Sequence, residues 1–221
     1  MKIISPFNRF VVVAGPNGSG KSTITKKFFR RGLLPEVYLN PDDIAKELSP
    51  NDVWAGRIAA GRKAVELREL YLEKRQSFTM ETTLSGVSEI AAIKEAIKIG
   101  YKVSMIYVSL DGEFENIGRV KNRARKGGHD IPIADILRRR QRSFENLLKI
   151  IDIIPRVIII DNTQLPKTIL RKNKNIITYV SNDLPEWFTS IFSNKITDYR
   201  LEASSKHILG IIGDDNDCKK Y

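Results

Sequence analysis

Residues Gly15 to Thr23 read GPNGSGKST and follow an apolar, β-branched run, Phe10–Ala14. The spacing fits GxxxxGK[ST], a loop that holds phosphate. Its glycines let the backbone curl until successive N–H groups face phosphate oxygens. Lys21 can reach the β- and γ-phosphates, and the Ser22 hydroxyl can sit on Mg²⁺. A helix starting near Lys21 adds its positive end. The candidate ATP-binding residues are therefore Gly15, Asn17, Gly18, Ser19, Gly20, Lys21, Ser22 and Thr23, with Ser22 as the metal ligand.

Carboxylates follow the next strands. In open parallel sheets ligands bind beyond the carboxyl ends of the strands. The second strand leads into Asn40-Pro41-Asp42-Asp43, the third ends in Glu81-Thr82-Thr83, the fourth leads to Asp111 and the fifth to Asp161. Acids beside a phosphate loop suggest phosphoryl transfer, which needs a metal, a base for the attacking oxygen and cations on the moving group. Asp42 suits the base, or it serves the positive end of a helix as Asp43 does. Glu81 belongs to a metal shell, orients a substrate, or accepts from loop N–H groups.

The cations are concentrated. Between Arg119 and Arg142 stand seven Arg and two Lys against two Asp. Arg119 and Arg123 share a helical face. Gly127-Gly128 breaks that helix, and Arg138-Arg139-Arg140 follows on the next. The segment from about 119 to 142 reads as a lid that closes on nucleotide phosphates and excludes water. His129 in its loop has no second histidine or cysteine at metal-ligand spacing.

Strands and helices must alternate to position these residues. Strands are expected at Phe10–Ala14, Val37–Leu39, Phe78–Glu81, Lys102–Ser109, Arg156–Asp161 and Ile176–Ser181. Helices are expected at Lys21–Phe29, from Asn40 (N-cap) and Pro41 (first turn), and at Asp52–Gln76, Ser88–Ile99, Glu113–Arg125 and Ala134–Ile151. The long helix has Val53, Trp54, Ile58, Val65 and Leu72 among its apolar positions. This pattern is an α/β domain with a parallel sheet covered on both faces. Residues 1–192 form one kinase domain on this reading. Residues 193–221 form a polar tail without periodicity, with Asp214–Tyr221 expected to fray. The basic run Lys167–Lys174 reads as a solvated loop.

The chain has 221 residues, 42% hydrophobic and 29% charged, and a net charge of +11. That allows one sizeable core. Its single cysteine, Cys218, leaves no disulfide framework and points to the cytoplasm. No apolar run suits a signal peptide or a membrane span. The second basic run lacks the interleaved aromatics of a single-strand surface, which argues against nucleic acid. Leu84-Ser85-Gly86 lacks the Gly-Gln of transporter ATPases, no apolar strand ends in Asp-Glu, and Lys172-Asn173-Lys174-Asn175 lacks the aspartate that reads guanine.

The series AGPNGSGKST, LNPDDIAKEL, METTLSG, GYKVSMIYVSL, RVKNRARKGGHDIP and RRRQRSFENL resembles the zeta toxin-like kinases over about residues 10 to 162. The resemblance implies a P-loop NTPase fold with sheet order 2-3-1-4-5, and ATP with Mg²⁺. It implies a small-molecule acceptor, a UDP-linked N-acetyl amino sugar phosphorylated on a hydroxyl, and an antitoxin-like protein partner. Carried onto this chain, it makes Asp42 the base and puts Glu81 near the acceptor; Thr83 and Asp43 are further candidate substrate-binding residues. Its two arginines match Arg119, with Arg123 as the alternative, and one of Arg138-Arg139-Arg140, of which Arg139 is favoured. Lys21, Asp42, Arg119 and Arg139 are thus the expected catalytic set. A 5′-hydroxyl polynucleotide kinase and a non-catalytic nucleotide-binding module are the rival readings.

Overall fold

A computed structural model describes residues 7–49, 56–128 and 130–208. The residues at 50–55, among them Val53 and Trp54, and His129, Cys218 and the acidic end of the chain lie outside the described residues. The chain runs β1 (Arg9–Ala14), α1 (Lys21–Arg30), β2 (Tyr38–Leu39), α2 (Pro41–Leu48), α3 (Arg57–Glu73), β3 (Phe78–Thr82), α4 (Val87–Lys98), β4 (Lys102–Ser109). It continues through α5 (Glu113–Arg125), α6 (Ile133–Ile150), β5 (Arg156–Asp161), β6 (Lys167–Asn173), β7 (Ile176–Val180), α7 (Glu186–Phe192) and α8 (Ile196–Ile208).

One sheet of seven strands has the order β2-β3-β1-β4-β5-β6-β7. The first five strands are parallel and follow the expected 2-3-1-4-5; β6 and β7 extend the sheet as antiparallel strands. Side chains on a strand alternate between faces. Phe10, Val12 and Ala14 of β1 pack into one cluster with Leu72, Ile93, Leu147, Trp187 and Phe188. Val11 and Val13 pack into another with Ile24 and Phe28 of α1. Both faces are therefore covered, and the strands read as apolar runs because neither face meets water.

Several stretches differ from expectation. Lys167–Lys174 is not a solvated loop: most of it is β6, with Ile169 and Leu170 fully buried. Lys172 is 7% exposed, and its Nζ donates to the carbonyls of Ile151 (2.8 Å) and Asp152 (2.6 Å), where α6 ends. The lysines hid a strand whose apolar pair was too short to show periodicity. The stretch after Phe192, expected to be a polar tail, contains α8. Its Ile196, Tyr199 and Ala203 stand at helical spacing and pack on the main cluster. In α3 the buried stripe is Ala60, Ala64, Arg68 and Leu72, whereas the apolar Ile58 is 69% exposed. At α4 the cap is Gly86 rather than Ser88.

Candidate active site

The phosphate loop joins β1 to α1 at the carboxyl edge of the sheet. Gly18 and Gly20 have φ of 75° and 92°, a left-handed conformation natural to glycine. Space makes the same demand. A Cβ on Gly18 would stand 2.6 Å from the Asn116 carbonyl oxygen, and one on Gly20 2.3 Å from Asn162 Nδ2. These two asparagines grip the loop. Asn116 of α5, fully buried, donates through Nδ2 to the Asn17 carbonyl at 2.6 Å. Asn162, just after β5, donates to the Ser19 carbonyl at 2.8 Å.

Lys21 folds over the loop. Its Nζ donates to the Gly15 and Pro16 carbonyls, both at 2.9 Å. Burial pushes its pKa below the ordinary lysine value; the Glu81 and Asp42 carboxylates oppose that shift, and Arg123 adds to it. Ser19 Oγ and Asn17 Oδ1 are buried without a hydrogen-bond partner. Of these two, the Ser19 hydroxyl can donate to a phosphate oxygen, whereas the Asn17 amide oxygen can only accept. Ser22 and Thr23 open α1 and line a cleft of about 370 Å³ with Lys21, Glu81, Thr83 and Asp42.

Glu81 ends next to the loop. Its Oε1 accepts from the Ser22 hydroxyl at 2.7 Å, and its Oε2 accepts from Tyr38 at 2.6 Å and Thr25 at 3.3 Å. It therefore stands beside Ser22, at the start of α1. The Ser22 proton points at Glu81, which leaves the hydroxyl lone pairs available to a cation. No group of three or more His, Cys, Asp or Glu that could hold a metal by itself occurs among the described residues. Ser22 with Glu81 behind it fits a magnesium ion carried in on phosphate oxygens. Burial and Glu81 push the Tyr38 pKa far above the usual tyrosine value, so its hydroxyl stays a donor.

Asp42 and Asp43 part company. The Asn40 side chain caps α2 by accepting from the Asp42 N–H at 3.0 Å. Asp43 accepts from Asn40 Nδ2 at 3.1 Å and from Lys46 at 3.4 Å. It lines neither this cleft nor the larger one next to it. Asp42 faces the cleft, 4.0 Å from Arg123 Nη1. Beyond it opens a second space of about 940 Å³, which shares Pro41, Asp42, Arg57, Arg119, Arg123 and Arg139 with the first. Lys46 and Lys126 add to its positive rim, against Asp42 and Asp135.

The arginines separate by what they touch. Arg119 lines both clefts, but its Nη2 donates to the Asn162 and Thr163 carbonyls at 2.9 and 2.8 Å. Arg138 pairs with Asp135 at 2.6 Å on the surface. Arg140 donates to Asn116 Oδ1 at 3.2 Å and to the Leu110 and Asp111 carbonyls at 3.3 and 2.9 Å, and stacks on Phe144. Arg139 lines both clefts. Asp111 and Asp161, raised as strand-end candidates, are absorbed by structure. Asp111 Oδ1 accepts from the Trp187 N–H at the start of α7, and Asp161 Oδ1 accepts from the Trp187 indole at 3.1 Å. Thr83 meets Ser85 at 2.8 Å beside the cleft. Tyr38, Asn116 and Asn162 are site residues that no motif marks.

A parallel sheet of this order with a phosphate loop on its first strand defines a P-loop kinase fold. The chain belongs to the Zeta toxin family, whose sequence profile matches residues 7–182. An uncharacterized protein of Haemophilus influenzae is 35% identical over 124 residues, 56% of this chain and 86% of that protein. A chain of the PezAT chromosomal toxin–antitoxin system of Streptococcus pneumoniae superposes with a TM-score of 0.55 at 14% identity, covering 88% of each chain. The AvrRxo1-ORF1:-ORF2 complex with ATP gives a TM-score of 0.65 at 13% identity, over 84% of this chain and 63% of that one. At such identities the structural likeness speaks for the fold alone. No helix among the described residues is long and apolar enough to cross a membrane.

Proposed function

We propose that this protein transfers the γ-phosphoryl group of ATP to a hydroxyl of a small anionic acceptor, a UDP-linked N-acetyl amino sugar being the candidate the family implies. The observation that carries this reading is the position of Asp42. It lines both spaces, between the phosphate loop on one side and the larger basic cleft on the other. An alcohol held in the larger cleft would present its proton to Asp42 and its oxygen to the terminal phosphate. The positive rim supports an acceptor that carries negative charge of its own.

In this reading Lys21 exchanges its two carbonyl partners for phosphate oxygens. Added negative charge beside the buried ammonium raises its pKa again, so the proton it holds is more secure with nucleotide bound. Ser22, oriented by Glu81, would hold Mg²⁺, which shields charge on the phosphate oxygens. Arg139 and Arg123 reach the space where charge builds up on the moving group, and Arg119 fixes the cleft wall from the β5 side. The α5–α6 hairpin, with Gly127 at φ 82°, would act as the lid. ATP as donor suits a cytoplasmic protein. An antitoxin-like partner, as the toxin–antitoxin name of the PezAT relative suggests, would compete with ATP if it covered the phosphate loop.

The test is ATP turnover by the purified protein. Lys21→Ala and Asp42→Asn should each lower it by about two orders of magnitude or more. Only Lys21→Ala should weaken ATP binding strongly. Wild-type turnover in Asp42→Asn removes the base from this account.

A further inference from the structure

Asp42 is held by more than its own helix turn. The Asn40 amide that caps its N–H also donates from Nδ2 to the Tyr38 hydroxyl at 3.2 Å. That hydroxyl donates to Glu81 Oε2 at 2.6 Å, and Glu81 Oε1 accepts from Ser22 at 2.7 Å. One unbroken chain of hydrogen bonds thus runs from the candidate magnesium ligand on α1, through β3 and β2, to the backbone N–H of the candidate base on α2. We propose that Tyr38 is a positioning residue, the link that fixes the metal side of the site, Ser22 and Glu81, relative to its base side, Asn40 and Asp42. The proposal rests on the phosphotransfer reading above and adds a residue to it.

The chemistry of each link supports this. A phenol has one proton to give and lone pairs to receive. Here it accepts from Asn40 and donates to Glu81, so the direction of the chain is set. Glu81 takes three donors, Ser22, Thr25 and Tyr38, and is 7% exposed. So engaged, its part is to orient. Buried networks of this kind couple their members, and loss of one hydroxyl is felt along the chain. The ring itself is placed by apolar contact: it meets Phe29 edge-on, with centroids 5.4 Å apart. Removing only the hydroxyl leaves that contact in place.

Tyr38→Phe is the decisive variant. ATP binding is measured by calorimetry with Mg²⁺ and with EDTA, and turnover by phosphate release from ATP without added acceptor. Loss of a hydrogen bond to a charged group predicts a kcat lower by about tenfold and a Mg²⁺ enhancement of ATP affinity reduced by about the same factor. Affinity in EDTA should stay within about twofold of wild type, because the loop amides are untouched. In a Glu81→Gln background the same change should add less than about twofold, since one chain is already broken. A wild-type Mg²⁺ response and kcat in Tyr38→Phe, or effects that add in full on Glu81→Gln, overturn the proposal. Should Tyr38→Phe not fold, Asn40→Ser keeps a capping oxygen but is too short to reach the phenol. It should lower kcat with the Mg²⁺ response spared, and an unchanged kcat overturns the proposal. Wild-type protein that fails to bind Mg²⁺-ATP in the same titration removes the phosphotransfer reading and this inference with it. A normal wild-type response beside an unchanged Tyr38→Phe removes the inference alone.

Discussion

At the residue scale, chemistry was legible where side-chain type and spacing act together. The phosphate loop needs glycines, a lysine and a hydroxyl in a fixed order, and that order survives as a string. Three consecutive arginines carry no such information, because helix position decides which way each points. The structure gives them different fates. Arg139 lines both clefts, Arg138 pairs with Asp135 at the surface, and Arg140 ties α6 to Asn116 and to the carbonyls after β4. Arg139→Ala should therefore lower ATP turnover by about a hundredfold with the melting temperature unchanged. Arg140→Ala should leave two carbonyls and one amide oxygen without this donor and cost about 1–3 kcal/mol. For a chain of this size that is a melting shift of several degrees, roughly 2–4 °C for each kcal/mol. Kinetics and thermal melts on the two variants check both outcomes. Tyr38 and the two gripping asparagines were hidden for a related reason. Their partners lie 43, 99 and 143 residues away, and only the closed sheet brings them together.

At the element scale, the five parallel strands announced themselves as apolar runs between helices. β6 did not, because its two buried aliphatics sit among lysines and an arginine. One of those lysines explains the disguise. Lys172 lies inside the protein because the carbonyls at the end of α6, left without helical partners, need donors. Positive charge at a helix C-terminus also meets the negative end of its dipole. Lys172→Met retains the length of the side chain and removes the donor. It should destabilise the fold by about 1–3 kcal/mol. Amide hydrogen exchange should rise at the end of α6. ATP affinity should hold, since that end of α6 lies about three helical turns beyond Arg139. Unchanged exchange there would mean that water serves those carbonyls equally well. α8 was hidden by composition: its apolar stripe is sparse and its other faces are polar.

At the scale of the whole molecule, the net charge of +11 invites a nucleic-acid reading that the structure redistributes. Arg9, Lys21, Arg119, Arg140 and Lys172 all spend donors on backbone carbonyls. Arg57, Arg123, Arg139 and Lys126 surround the larger cleft. Part of the positive charge thus closes the fold or lines one open cleft, which favours a small anionic acceptor over a long polyanion. The central claim is that a loop-bound ATP gives its terminal phosphoryl group to an alcohol readied by Asp42. It is tested most directly by incubating a metabolite extract with the protein, Mg²⁺ and ATP labelled with ¹⁸O in the γ-phosphoryl group, and following the label by mass spectrometry. The account predicts a metabolite heavier by a labelled phosphoryl group with wild-type protein, absent with Asp42→Asn although that variant still binds ATP. Label found only in inorganic phosphate, or an equal yield of phosphorylated metabolite from Asp42→Asn, would contradict it.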